Sequence, residues 1–288
     1  MGVLLTIIIL GLIIFLHELG HFMTAKWFKM PVKEFALGMG PKLISKKFGE
    51  TVYSIRVFPL GGFVNISGME EKEIEKDAII VETEEEINKI LEENDDAIVY
   101  TQEEIDEINY DNENGFFTKS PLQRFIVLIA GVVMNFLSAF IVLFFVVAAM
   151  SEIVHDKGFF LQLKITWKLF LQIFYETLNG LKLLITGHVS PKEMTGPIGL
   201  PKVVGQVYKS EGISVMKNIF ALLSVNIGIM NLLPIPALDG GRILFVIPEF
   251  FGIKVNKKVE NIVHMCGMIL LLALMLFVMF NDVMKYFR

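Results

Sequence analysis

Four stretches of this chain are long and apolar enough to cross a lipid bilayer, and that leaves few architectures open. They run Val3–Met23, Phe125–Met150, Ile219–Leu238 and Ile262–Phe280. A spanning helix needs about 20 predominantly apolar residues. Within lipid every backbone N–H and C=O has to find its partner inside the protein, so stretches of this kind are helices. A fifth stretch, Leu161–Thr186, is also apolar but carries Lys164, Lys168, Gln172, Glu176, Asn179 and Lys182. Their spacing of three or four puts them on one helical face, which predicts an amphipathic helix lying in the membrane interface. Thr51–Val57 alternates as a short strand does, and Pro59-Leu60-Gly61-Gly62 is expected to break it. The predicted fold class is therefore an α-helical polytopic membrane protein: four transmembrane helices, an interfacial amphipathic helix and a small membrane-associated β element. The N-terminus has neither a basic n-region nor a small-residue cleavage site, and it reads as a retained helix.

Charge divides the chain into three parts. The formal net charge is −5, yet residues 70–113 alone hold 19 acidic and 3 basic residues. The expected organisation is residues 1–69 with the first transmembrane helix and a hairpin region, residues 70–115 as an acidic cytoplasmic insert, and residues 116–288 as the rest of the membrane core. The insert carries a rough repeat, Asp77–Ile90 against Asp96–Ile108. Each copy reads as a short β run, then a Thr-x-x-Glu capping box (Thr83/Glu86 and Thr101/Glu104), then a short helix. It is a solvated acidic face or a docking element for a cytoplasmic partner.

The chemistry begins at His17-Glu18-Leu19-Gly20-His21. Residues four apart share a helix face, so both imidazoles can hold one Zn²⁺ while Glu18 reaches a water on the metal. Ionisable groups are rare and costly inside a membrane segment, which sharpens the reading. Zinc needs a third protein ligand. The single cysteine, Cys266, lies in an apolar run, and no Cys-based site is possible. His155 and His188 sit in connectors, and His264 starts the last apolar segment as an interfacial histidine. Asp239 is the candidate, at the end of Asn231-Leu232-Leu233-Pro234-Ile235-Pro236-Ala237-Leu238-Asp239-Gly240-Gly241. The prolines unwind the helix and the glycines let backbone approach closely.

HExxH in the first membrane segment together with NxxPxPxLDG in a late one resembles the site-2 protease family of intramembrane zinc metalloproteases. Gly38-Met39-Gly40-Pro41, Tyr53–Val64, Ser120–Phe136 and Thr195-Gly196-Pro197-Ile198-Gly199 resemble its RseP-like bacterial branch. The resemblance implies one zinc ion held by His17, His21 and Asp239, with Glu18 as catalytic base. It also implies a β element that clamps substrate, making Gly61, Gly62, Phe63 and Asn231 expected substrate contacts. The expected reaction is hydrolysis of peptide bonds in or near transmembrane segments of single-pass membrane proteins, such as anti-sigma factors or remnant signal peptides. The expected partners are these substrates and the bilayer, with no nucleic acid. Two departures stand out. Gly131-Val132-Val133-Met134-Asn135 lacks the branch's proline but keeps Asn135, which is expected to bind substrate backbone or support the oxyanion, or else to make an interhelical hydrogen bond. Ser151–Phe160 is too short for the PDZ domain that this branch usually carries. The absent domain favours a sporulation-type protease of a pro-sigma factor as the alternative, and intramembrane His and Asp also suit a zinc-binding transporter.

The histidines end the first segment and Asp239 follows the third. Both segments must cross in one direction for the three to meet, and that holds if Leu161–Thr186 lies on the surface. By the positive-inside rule Lys26, Lys29 and Lys33, with Lys254, Lys257 and Lys258, put the expected site toward the cytoplasmic face, and the resemblance implies a bacterial inner membrane.

Overall fold

The structure is a computed structural model that describes residues 1–69, 79–81, 86, 90, 92, 98–149, 158–188, 196, 198–253 and 255–286. Four helical stretches are long and apolar enough to span a membrane. They are α1 (Gly2–Trp27), α3 (Pro121–Ala149), a 3-10 turn with α6 (Ile213–Leu232), and α8 (Lys257–Tyr286, apolar to Met284). The protein is an integral membrane protein. The third span stops at Leu232, short of the predicted Leu238, because Leu233 before Pro234 is extended.

Lipid gives little hydrophobic drive for helices to associate, so close packing and hydrogen bonds hold them together. A Cβ on Gly20 would run into the Ala130 carbonyl, which shows how tightly α1 lies on α3. α3 meets α6 through Ala139, Leu143, Ala221, Val225 and Ile229. Ser224 adds a hydrogen bond to the Asn135 carbonyl at 2.9 Å. Ile9 and Ile13 of α1 pack with Met216 and Phe220 of α6, while Ile14 and Glu18 share a cleft with Ile227 and Asn231. α1 and α6 therefore run parallel, as the three-ligand reading demands. A short helix, α5 (Leu200–Glu211), packs on the start of α1 through Val204.

The amphipathic stretch forms α4 (Phe159–Ile185), with its six predicted polar residues exposed. Its other face carries Gln162, which donates to the Phe144 carbonyl at 3.1 Å, and Phe174, whose ring meets Phe136 at 5.9 Å. α4 thus runs back along the second half of α3.

β1 (Val32–Phe48) and β2 (Thr51–Ile66) form a bulged sheet. Glu34–Leu37 pair on one side with Asn65–Gly62 and on the other with Val52–Ile55, while Ser45–Phe48 face Ser54–Thr51. Pro59-Leu60-Gly61-Gly62 does not end the strand as predicted. It is where β2 swings from one side of β1 to the other, with Gly61 at φ 117° supplying the bend. Glu34 accepts from Arg56 at 2.8 Å and from Ser54. Burial works against its charge, but Ser54, Arg56 and Lys42 outweigh that and hold its carboxyl below the usual range.

Within the acidic insert β3 (Ile79–Val81) pairs in parallel with β4 (Val99–Thr101), so the two repeat copies lie side by side. α2 (Gln102–Asn114) begins with the predicted capping box: Glu104 N–H donates to Thr101 Oγ1 at 3.1 Å and Thr101 N–H to Glu104 Oε2 at 2.9 Å. Thr83 of the other box lies outside the described residues, as do His155 and most of the connector after α3. α2 is tied to the membrane part by Lys33, which bridges Glu107 at 2.6 Å and Asp111. Partial burial disfavours the ammonium, yet the two carboxylates prevail and raise its pKa.

Candidate metal centre and peptidase cleft

The last turns of α1 place His17 and His21 one turn apart, facing α3. His21 Nδ1 lies 2.8 Å from the Val127 carbonyl, to which only an N–H can donate. Its Nε2 therefore carries the lone pair. Asn135, 0% exposed, has its amide 3.3 Å from His17 Nδ1 and its Oδ1 buried without a hydrogen bond. Turning that amide about its axis presents Oδ1 to an Nδ1–H, satisfies both groups and leaves His17 Nε2 bare as well.

The third group arrives from a turn. After α6 the chain passes through Leu233 and two short hydrogen-bonded turns, Ile235 N–H to Leu233 at 2.7 Å and Leu238 N–H to Ile235 at 3.1 Å. Ala237 takes φ 79°, unusual for a residue with a side chain. α7 (Asp239–Val246) then starts and doubles back so closely that a Cβ on Gly240 would meet the Leu232 and Leu233 carbonyls. Asp239 is the first residue of that helix. Its Oδ2 stands 3.1 Å from His17 Nε2 and 3.3 Å from His21 Nε2, and the two nitrogens are 3.2 Å apart.

Three lone-pair acceptors this close repel one another unless a cation lies between them. Donors at 2.0–2.1 Å from a tetrahedral zinc stand about 3.3 Å apart, and the three edges here are 3.1, 3.2 and 3.3 Å. The Asp239 oxygen is also buried with no hydrogen-bond donor. The residues fit zinc. Among the described residues this is the one group of three or more such side chains able to hold a metal ion.

Glu18 lies beside them on the wall of a cleft of about 340 Å³. The opposite wall is β2 at Gly61–Val64. Gly62 brings strand and helix together, since its Cβ would lie 3.3 Å from Glu18 Cγ. Of the sequence-predicted contacts, Gly61, Gly62, Phe63 and Asn231 line this cleft. Asn135 does not. It is enclosed behind His17, where it meets the imidazole rather than anything in the cleft.

The model of peptidase family M50 matches residues 5–274. The chain belongs to that family. A protein of Fusobacterium nucleatum named as a zinc metalloprotease is 35% identical, with 100% of each chain covered. Another so named, from Clostridium acetobutylicum, is 30% identical over 98% of this chain and 97% of its own. The regulator of sigma-W protease RasP of Bacillus subtilis is 27% identical over 98% of each. The M50 chain is a zinc metalloprotease of the site-2 protease type, and its cofactor is zinc.

Three features of the M50 site escaped the sequence reading. Gly131 gives the histidines their room, because a Cβ there would press on His21 Nε2 and the His17 ring. Arg242, on the first turns of α7, lines the cleft and reaches the Met69 carbonyl. His264, expected at the interface, is buried against the turn before Asp239. Only the Gly131 signal was visible, as a small residue one helical turn before a polar one in an apolar segment.

Proposed function

We propose that this M50 peptidase hydrolyses peptide bonds within or near the transmembrane segments of single-pass membrane proteins, with His17, His21 and Asp239 as zinc ligands and Glu18 as general base. The observation that carries this is the pairing of a three-donor centre with a strand edge across one narrow cleft. Bound zinc supplies Lewis acidity toward water and toward a carbonyl oxygen. Glu18 takes the proton of the attacking water and delivers it to the leaving amine. Asn135 and the Val127 carbonyl act further back, fixing which ring nitrogen of each histidine keeps its lone pair.

A helical substrate hides its peptide bonds, and unwinding it in lipid strands its backbone groups. The Gly61–Val64 stretch answers both problems. One of its edges is paired with β1 and the other faces the cleft, so an extended segment can add there as a further strand. Gly62 lets the strand lie close to Glu18, and Phe63 and Asn231 flank the segment. The name of the Bacillus subtilis relative ties such a protease to a sigma factor, which supports anti-sigma factors as substrates; remnant signal peptides are the second substrate class of this reading. A cytoplasmic partner for the acidic insert and a site toward the cytoplasmic side of the inner membrane, supported by Lys26, Lys29 and Lys33, belong to the same reading.

The test is mass spectrometry of membranes holding wild-type or Glu18→Gln protein. Membrane-derived peptides that accumulate only with the wild type support the proposal. Identical peptide sets overturn it.

A further inference from the structure

We propose that His264 of α8 is a positioning residue for the metal centre, holding the turn that delivers Asp239. This rests on the reading of Asp239 as a zinc ligand.

The Ala237 N–H donates to His264 Nδ1 at 3.0 Å. Ala237 is the residue at φ 79°, two positions before Asp239. A non-glycine residue keeps such a conformation only where its surroundings over-determine it. Its N–H points away from the backbone partners that a helix or strand offers, and it needs an acceptor of its own. His264 provides one from another element. The ring is 5% exposed, and its Nε2 is buried without a hydrogen-bond partner. Because Nδ1 accepts, the proton of the neutral ring sits on Nε2.

One helical turn further along α8, Gly267 completes the grip. A Cβ there would collide with Pro236. His264 and Gly267 share a helix face, so α8 offers a notch that seats Pro236 and an acceptor that fixes Ala237. The Phe245 ring, 5.7 Å from the imidazole, closes the other side. The last spanning helix thus holds the third ligand without touching the metal, much as outer-shell partners hold the histidines.

Zinc affinity is measured on the full chain in detergent, by competition with a chromogenic chelator, alongside kcat and KM on a membrane-embedded substrate. Outer-shell losses run about 10–100-fold in metal affinity, and His264→Ala is expected to fall in that range, with kcat reduced and KM little changed. His264→Asn, whose Oδ1 reaches the place of Nδ1, is expected to recover to within a few-fold of wild type. His264→Gln, whose amide extends toward the place of Nε2, is expected to behave like alanine. Should the alanine variant fail to fold, the Asn and Gln pair decides alone. Equal affinities for Asn and Gln, or wild-type affinity in His264→Ala, overturn the proposal. Asp239→Ala is the separate control: wild-type affinity in that variant overturns the ligand reading itself.

Discussion

Gly131→Ala adds one methyl group in the tightest part of the centre. The new Cβ would stand 2.8 Å from His17 Cε1 and 2.9 Å from its Nδ1, and closer still to His21 Nε2. Ordinary contact begins near 3.4 Å. The His17 ring must then retreat by roughly 0.5 Å and His21 by more, or α1 must lift off α3. Overpacking of this kind costs about 1–3 kcal/mol. Lifting α1 is opposed by Gly20, which sits against the Ala130 carbonyl one residue away from Gly131. The strain therefore falls on the imidazoles, whose donor triangle is already at zinc dimensions. A loss of about 2.7 kcal/mol in zinc binding is a factor of about 100. The expected result is a fall in affinity of about 5- to 150-fold by chelator competition, the span of the overpacking cost. Gly11→Ala and Gly180→Ala, where an added Cβ meets nothing within 4 Å, should bind zinc as the wild type does. A Gly131→Ala protein with wild-type zinc affinity would refute the packing argument.

Glu18→Gln should abolish cleavage while one zinc per chain remains, checked by peptide release and metal analysis together; loss of zinc would give Glu18 a structural role. Asn135→Ala should weaken zinc about 10–100-fold and leave substrate KM unchanged, whereas a KM effect alone would put Asn135 in contact with substrate. Lys33→Ala removes the tie to Glu107 and Asp111. The Glu107 pair is exposed and worth about 0.2–1 kcal/mol, but Asp111 is buried and loses its cation, so limited proteolysis within Gln102–Asn114 should speed up by about fivefold or more. Glu34 titrates below its ordinary value when folded, so its ties to Arg56 and Ser54 stabilise the sheet above pH 4.5 and fade as pH falls through the folded value. Hydrogen exchange at Ile55–Val57, corrected for intrinsic rates, should show that loss of protection, and Glu34→Gln should remove the dependence.

The parts of this molecule that were legible in its sequence are those governed by short repeats. Apolar runs of about 20 residues gave the spans, and a spacing of four gave His17 and His21. A proline pair followed by Asp-Gly-Gly marked Asp239. The Thr101/Glu104 cap could be read because its partners are three residues apart. Contacts between distant residues left no such mark. Asn135 reads equally as a substrate ligand or an interhelical bond until His17 is seen beside it. His264 looks like a boundary histidine until the turn at Ala237 is placed against it. The stop at Pro59-Leu60-Gly61-Gly62 failed for a related reason: a local breaker signal cannot show that a strand bends and pairs again on the other side of its neighbour.

The central claim is that His17, His21 and Asp239 hold one zinc ion. X-ray absorption spectroscopy of the zinc-loaded peptidase tests it directly, together with the same spectrum from Asp239→Ala. The account predicts one zinc per chain with two imidazoles and oxygen ligands at about 2.0–2.1 Å, and in Asp239→Ala either metal loss or one oxygen fewer. A sulfur shell, a count of imidazoles other than two, or an unchanged spectrum in Asp239→Ala would contradict it.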